Sequence, residues 1–253
     1  FAHGDIIMVG GYMIYVFMAT GNPLLAILIA CIGCVILGIT IEKVAYKPLR
    51  GASPLAVLIT AIGVSYLLQS LAQIIFGSAS KMVTVYEFGA VKLMGVTVQV
   101  SSLVTLAVTV VVMVSLTLFV KYTRLGRAMI AVSEDRDAAQ LMGINVNGII
   151  TITFAIGSAL AAVASIFYGM TYVYIKPTTG AMPGIKAFTA AVFGGIGSIP
   201  GALLGGLLLG VIEIFAKAYI STQLSDAVVF AVLIIVLLVK PAGLLGKQIQ
   251  EKV

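Results

Sequence analysis

The sequence predicts an all-α fold, a polytopic bundle of transmembrane helices with about eight membrane segments. The 253 residues are 61% hydrophobic and 9% charged, with a mean hydropathy of +1.18, whereas a soluble chain carries about 25% charged residues. Several apolar runs reach the roughly 20 residues that cross a bilayer as a helix. Turn-forming pairs separate those runs: Asn22-Pro23, Lys47-Pro48, Ser53-Pro54, Lys176-Pro177, Pro183-Gly184, Pro200-Gly201 and Lys240-Pro241. In hydrocarbon each segment must satisfy its own backbone polar groups, which selects helices. The alternating ten-residue segments of a membrane β-barrel are not seen.

The breakers place spans at about 6–20, 24–42, 55–76, 101–120 and 149–174, then a Gly-rich pair at about 186–196 and 201–218, and a last span near 224–239. The chain opens Phe1-Ala-His-Gly-Asp, which leads almost at once into a span, so an earlier N-terminal helix is expected to precede it. The whole of 1–253 reads as one transmembrane domain. Lys43, Lys47 and Arg50 follow the second span; Lys121, Arg124, Arg127 and Arg136 fill a central segment; Lys240, Lys247 and Lys252 close the chain. Strict alternation puts all three groups on one side, and the positive-inside rule makes that side the cytoplasm, the C-terminus included. The loop at about 77–100 then lies outside, and its β-type alternation suggests a small hairpin.

The net charge of +6 is this loop charge; no tract is basic enough to bind nucleic acid. Cys31 and Cys34 share a helix face inside an apolar span, where a redox or metal role lacks solvent access, so they pack and no metal site is expected. His3 is the sole histidine; a capping or packing role at a span entrance suits it, as a capping role suits Asp5. Few residues remain for an intramembrane hydrolase, and no catalytic residue is assigned. Gly246-Lys247 is followed by Gln, and Pro200 interrupts Gly194-Gly195-Ile-Gly197-Ser-Ile-Pro200-Gly201, so neither a P-loop nor a dinucleotide loop is present. That run reads as a helix break or tight turn, a plain turn between two helices being preferred. Gly201, Gly205, Gly206 and Gly210, and separately Gly157, Ala161 and Ser165, form small faces for close helix packing.

Polar residues inside spans suggest a translocation path: Thr60, Ser65 and Gln69, with Thr189 in the Gly-rich pair. Glu213 reads as the only acid deep in an apolar stretch, with Lys217 as its i,i+4 partner. The central segment, about 121–148, holds four basic and three acidic residues between two spans. Read as a helix from Arg124 to Met142, it turns Leu125, Met129, Val132 and, after a slip, Ala139 and Met142 toward one face. Arg127, Glu134, Asp135, Arg136 and Asp137 point mostly elsewhere. A charge-balanced amphipathic helix between spans suits docking of a soluble partner better than rest on anionic lipid.

Asp137-Ala138-Ala139, three spacers, Gly143, and Ile152 nine further on resemble the acid-Ala-Ala motif of ABC-importer permeases, although Thr153-Phe154 stand where the usual Pro closes it. Phe1–Asp5, Glu42–Arg50, Arg124–Met129, Ser133–Asn145 and Lys186–Gly201 extend the likeness to essentially the whole chain. They resemble the branched-chain amino acid ABC permease family, and within it the LivH-type subunit. The resemblance implies an importer subunit in a bacterial inner membrane, imbedded in lipid. It implies a second permease subunit, two cytoplasmic ATPases that bind the ATP (no cofactor being held here), and a periplasmic binding protein for leucine, isoleucine and valine. It implies that Arg124, Gly126, Arg127, Glu134–Ala139 and Gly143 form the coupling helix. Related permeases serve urea, short amides or other amino acids, and a stand-alone channel for a small solute is the reading from another class.

Overall fold

The computed structural model describes residues 2–19, 21–83, 89–93 and 96–246. Ten α-helices and four short strands follow one another: α1 (Ala2–Met18), α2 (Pro23–Ile41), α3 (Pro54–Phe76), β1 (Lys81–Met82), β2 (Ala90–Leu93), β3 (Val96–Gln99), α4 (Val100–Tyr122), α5 (Arg124–Glu134), α6 (Arg136–Leu141), α7 (Val146–Tyr172), β4 (Tyr174–Ile175), α8 (Ala181–Gly194), α9 (Ile199–Tyr219) and α10 (Ser225–Val239). A π-helical turn, Glu42–Tyr46, and a 3₁₀ turn, Lys47–Leu49, lead from α2 toward α3. Among the described residues, five helical stretches are long and apolar enough to cross a membrane, and α1 and α10 are shorter apolar helices. This is a helical membrane protein.

Local chemistry sets the boundaries. Pro23, Pro54 and Pro200 sit in first turns, where the missing N–H has no intrahelical acceptor to lose. Ser53 and Ser198 cap α3 and α9 by accepting from the amides of Ala56 and Gly201. Two expectations are corrected. Pro183-Gly184 does not break α8, because Pro183 falls in its first turn and the helix begins at Ala181 rather than near 186. The segment 124–142 is not one helix: Asp135 leaves helical geometry (φ −152°, ψ 114°) and its carboxylate accepts from the amides of Asp137 and Ala138, ending α5 and capping α6.

The described residues form two compact units, Phe1–Val112 with Leu118–Gly184, and Met113–Thr117 with Ile185–Val253. In the first, α1, α2 and α7 pack around Ile6, Met8, Tyr12, Ile14, Cys34 and Ala162. Contact is close because small residues face each other: a Cβ on Gly4 would meet the Gly180 carbonyl and lie 2.6 Å from Gly184 Cα. Cys31 and Cys34 are free thiols, and Cys34 Sγ points at the Ile6 carbonyl (3.7 Å) within this core. His3 packs its ring beside Phe154 and over Gly157. Strand β1 pairs antiparallel with β4, and β2 with β3 as the expected hairpin; residues 84–88 and 94–95 of that loop lie outside the described residues. In the second unit, α9 packs with α10 around Phe193, Leu209 and Val229.

Candidate functional site

The charge-rich segment folds as a compact two-helix element seated on the start of α7. Thr123 caps α5 by accepting from Gly126 N at 3.0 Å. Gly126 lies against the backbone of Val120 and Phe119, which a side chain would strike. Val132 of α5, Ala139 of α6 and Ile149 of α7 form one buried cluster, so the three helices meet as one body. Gly143 adopts φ +80°, the left-handed conformation that turns the chain out of α6, and Asn145 caps α7 by accepting from Gly148 N.

Arg124, Arg127, Glu134, Asp135, Arg136, Asp137 and Ala138 are exposed, while Gly126 and Ala139 are buried. The single-helix reading placed Met142 and Leu125 on the packed face. Both are instead exposed: Leu125 lies in the first turn of α5, and Met142 follows α6, whose phase the break at Asp135 resets. Leu141 and Met142 are 89% and 82% exposed, an apolar tip between the charged residues and Gly143.

Beside this tip lies a groove of about 260 Å³ lined by Arg50, Arg136, Asp137, Gln140, Asn145 and Asn147, among others. Two of the three basic groups therefore meet at one end of the first unit. Lys240 belongs to the second unit, and Lys247 and Lys252 lie outside the described residues. Glu42, fully buried at the start of the π-helical turn, pairs with Arg50 Nη2 and accepts from Thr151 Oγ1 at 2.8 Å. Arg50 Nη1 donates to Asn147 Oδ1. These bonds, spanning about a hundred residues of chain, tie the end of α2 to the first turns of α7. Sequence reading took Glu213 as the only acid deep in an apolar stretch; among the described residues the buried acids are Asp5 and Glu42, and Glu213 is partly exposed. The available signal was the pairing of Glu42 with Arg50 inside one short run.

Of the candidate path residues, Ser65 and Gln69 come together. Ser65 Oγ donates to Asp5 Oδ2 and Gln69 Nε2 to Asp5 Oδ1 at 3.0 Å, so Asp5 is a buried link between α1 and α3 and not a helix cap. Thr60 bonds back to the Ala56 carbonyl and does not join them. Thr189 is buried in the other unit, bonded to the Ile185 carbonyl. The Gly194–Gly201 run is a plain turn between α8 and α9, with Gly195 and Gly197 at positive φ. Leu244 N and Leu245 N donate to the carbonyls of Phe193 and Gly194, so the segment after α10 closes over it. In the same unit Glu213 accepts from Lys217, as expected, and also from Lys186, which reaches Asp226 on α10 at 2.8 Å.

The family described as branched-chain amino acid transport system/permease component matches residues 1–237. The high-affinity branched-chain amino acid transport system permease protein BraD of Pseudomonas aeruginosa is 45% identical over all of this chain and 87% of its own length. The corresponding LivH proteins of Salmonella typhimurium and Escherichia coli K12 are 43% and 42% identical over the same shares. No solved structure matches significantly. With a family match running from its first residue into α10 and identity above 40% over the whole chain, the chain belongs to the branched-chain amino acid transport system permease family.

Proposed function

We propose that this chain is the permease subunit of an ATP-driven importer that carries leucine, isoleucine and valine across a bacterial inner membrane. The observation that carries the coupling half of this reading is the α5–α6 element: charge-balanced, tipped by exposed Leu141 and Met142, and packed as one body with α7. A rigid helix pair of this kind moves as a lever when a docked partner changes shape, and α7 leads that motion directly into the membrane. The substrate half is supported by the names of the full-length relatives.

In this reading α5 and α6 face the cytoplasm with the C-terminus, and seat on a separate ATPase, one of two. A second permease subunit completes the pathway, and an extracytoplasmic binding protein delivers the amino acid to the side carrying the β2–β3 hairpin. Hydrolysis belongs to the ATPases, and the permease needs no cofactor of its own. Ser65 and Gln69 line the path as neutral hydrogen-bonding groups that attract a zwitterion without gripping it. The test is radiolabelled leucine uptake into proteoliposomes holding the chain with its operon partners. Uptake should require ATP, the ATPases and the binding protein together. Free passage of leucine through vesicles holding this chain alone would reject the reading.

A further inference from the structure

We infer that Glu42 and Arg50 form a transmission clamp, a pair of positioning residues that carries movement of the α5–α6 element to α2 as well as to α7. The inference rests on the coupling role proposed above and names the route by which it reaches the membrane core. Three observations converge on it. Glu42 is fully buried at the point where α2 gives way to a π-helical and then a 3₁₀ turn, winding that departs from the regular α-helix and marks functional joints in other proteins. Its carboxylate is shared between the Arg50 guanidinium and Thr151 Oγ1, while the other arm of Arg50 holds Asn147. Asn147 and Thr151 lie on successive turns of α7, just past the Gly143 bend, and Arg50 lines the same groove as Arg136 and Asp137 of α6.

The arrangement has a mechanical consequence. The lever is joined covalently to two membrane helices, to α4 through Thr123 and to α7 through the Gly143–Asn145 turn, and to α2 through neither. Without the clamp, α2 would feel that motion only through side-chain packing along its length. The fork of Arg50, closed on a buried carboxylate on one side and on α7 on the other, makes the joint and the root of α7 shift together. A planar guanidinium meets both partners at once, which a lysine ammonium does less well. Breaking such a buried pair from one side leaves an uncompensated charge, so the pair holds through a motion that would part an exposed one.

The experiment uses the assembled transporter with its ATPases and binding protein in proteoliposomes, measuring leucine uptake, ATP hydrolysis and retention of the ATPases. Arg50→Gln and Asn147→Ala are compared with Arg50→Lys; Asn147 is exposed, so its loss spares the fold. Arg50→Gln should retain the ATPases and hydrolysis within about two-fold, yet lower leucine carried per ATP at least ten-fold. Asn147→Ala should lower it two- to five-fold, and Arg50→Lys should recover a third or more of the wild-type ratio. An unchanged ratio in Arg50→Gln and Asn147→Ala overturns the clamp. So does loss of uptake and hydrolysis in proportion, which marks a merely structural pair. Failure of the coupling reading itself looks different: bulky replacements at Ala138 and Gly143 would then leave ATPase retention and uptake intact.

Discussion

Gln69 Nε2 lies 3.0 Å from Asp5 Oδ1, joining α3 to α1 across 64 positions, and Ser65 completes the pair of donors. Asp5 is 1% exposed and α3 otherwise offers a largely apolar surface, so these bonds fix how α3 rotates against α1. Interhelical polar pairs in membrane proteins couple by about 0.6 kcal/mol on average and about 1.7 at most. A double-mutant cycle of Asp5→Ala and Gln69→Ala, read by reversible unfolding in detergent, should fall in that range. A coupling of zero would show that the contact is incidental to packing.

The same pair bears on transport. Ser65→Ala and Gln69→Ala should reduce leucine uptake several-fold with the binding protein's own affinity unchanged. Thr60→Val should have little effect, since its hydroxyl serves the Ala56 carbonyl one turn back. Uptake assays on the three variants in one background decide this. A Thr60 effect equal to that of Gln69 would mean that the path follows the helix face rather than the Asp5 cluster.

What the sequence made legible here was periodic or compositional. Apolar runs bounded by prolines located the helices within a few residues, and the Glu213–Lys217 spacing anticipated a bond that forms at 2.6 Å. The misses were all tertiary or local overrides. Asp135 looked like a surface acid on a helix, but its short side chain reaches two backbone amides and ends the helix instead. Asp5 looked like a residue at a span end because its partner Gln69 lies 64 positions away, and the bond from Thr151 to Glu42 crosses 109. Hydropathy along the chain contains no term for such pairs.

The charged network of the second unit should be uneven in strength. Lys217 is well exposed, and its i,i+4 pair with Glu213 contributes about 0.3–0.5 kcal/mol. Glu213 is more deeply placed and serves two lysines, so Glu213→Gln leaves Lys186 with only Asp226. Thermal unfolding should therefore shift more for Glu213→Gln than for Lys217→Ala. Equal shifts would mean that solvent supports Lys186 as well as the carboxylate does.

Helix packing predicts a sharp contrast between two glycines. Gly4→Val places carbon atoms against the Gly180 carbonyl and Gly184 Cα and should abolish recovery of folded protein. Gly63 of α3 has nothing within 4 Å of a built Cβ, so Gly63→Ala should be neutral or slightly stabilising through helix propensity. Yield after size-exclusion chromatography checks both, and a tolerated Gly4→Val would require α1 and the start of α8 to separate.

The orientation of the lever is the last claim open to direct test. Arg50 and Arg136 line one groove, so their two basic clusters share a side whichever way the protein sits. The positive-inside rule predicts that this side is the cytoplasm. With Cys31 and Cys34 replaced by alanine, a cysteine at position 127 should react with a membrane-impermeant maleimide in inside-out vesicles and resist it in intact cells. Cys34 is buried against Ile6, so its replacement is first checked for retained uptake. A cysteine at position 91, on the β2–β3 hairpin, should show the reverse pattern. The two positions flank α4, a helix of 23 residues that spans about 35 Å at 1.5 Å per residue, long enough to put them on opposite faces of the bilayer. Labelling of both from the same side would remove α4 from the membrane and, with it, the lever role of the α5–α6 element.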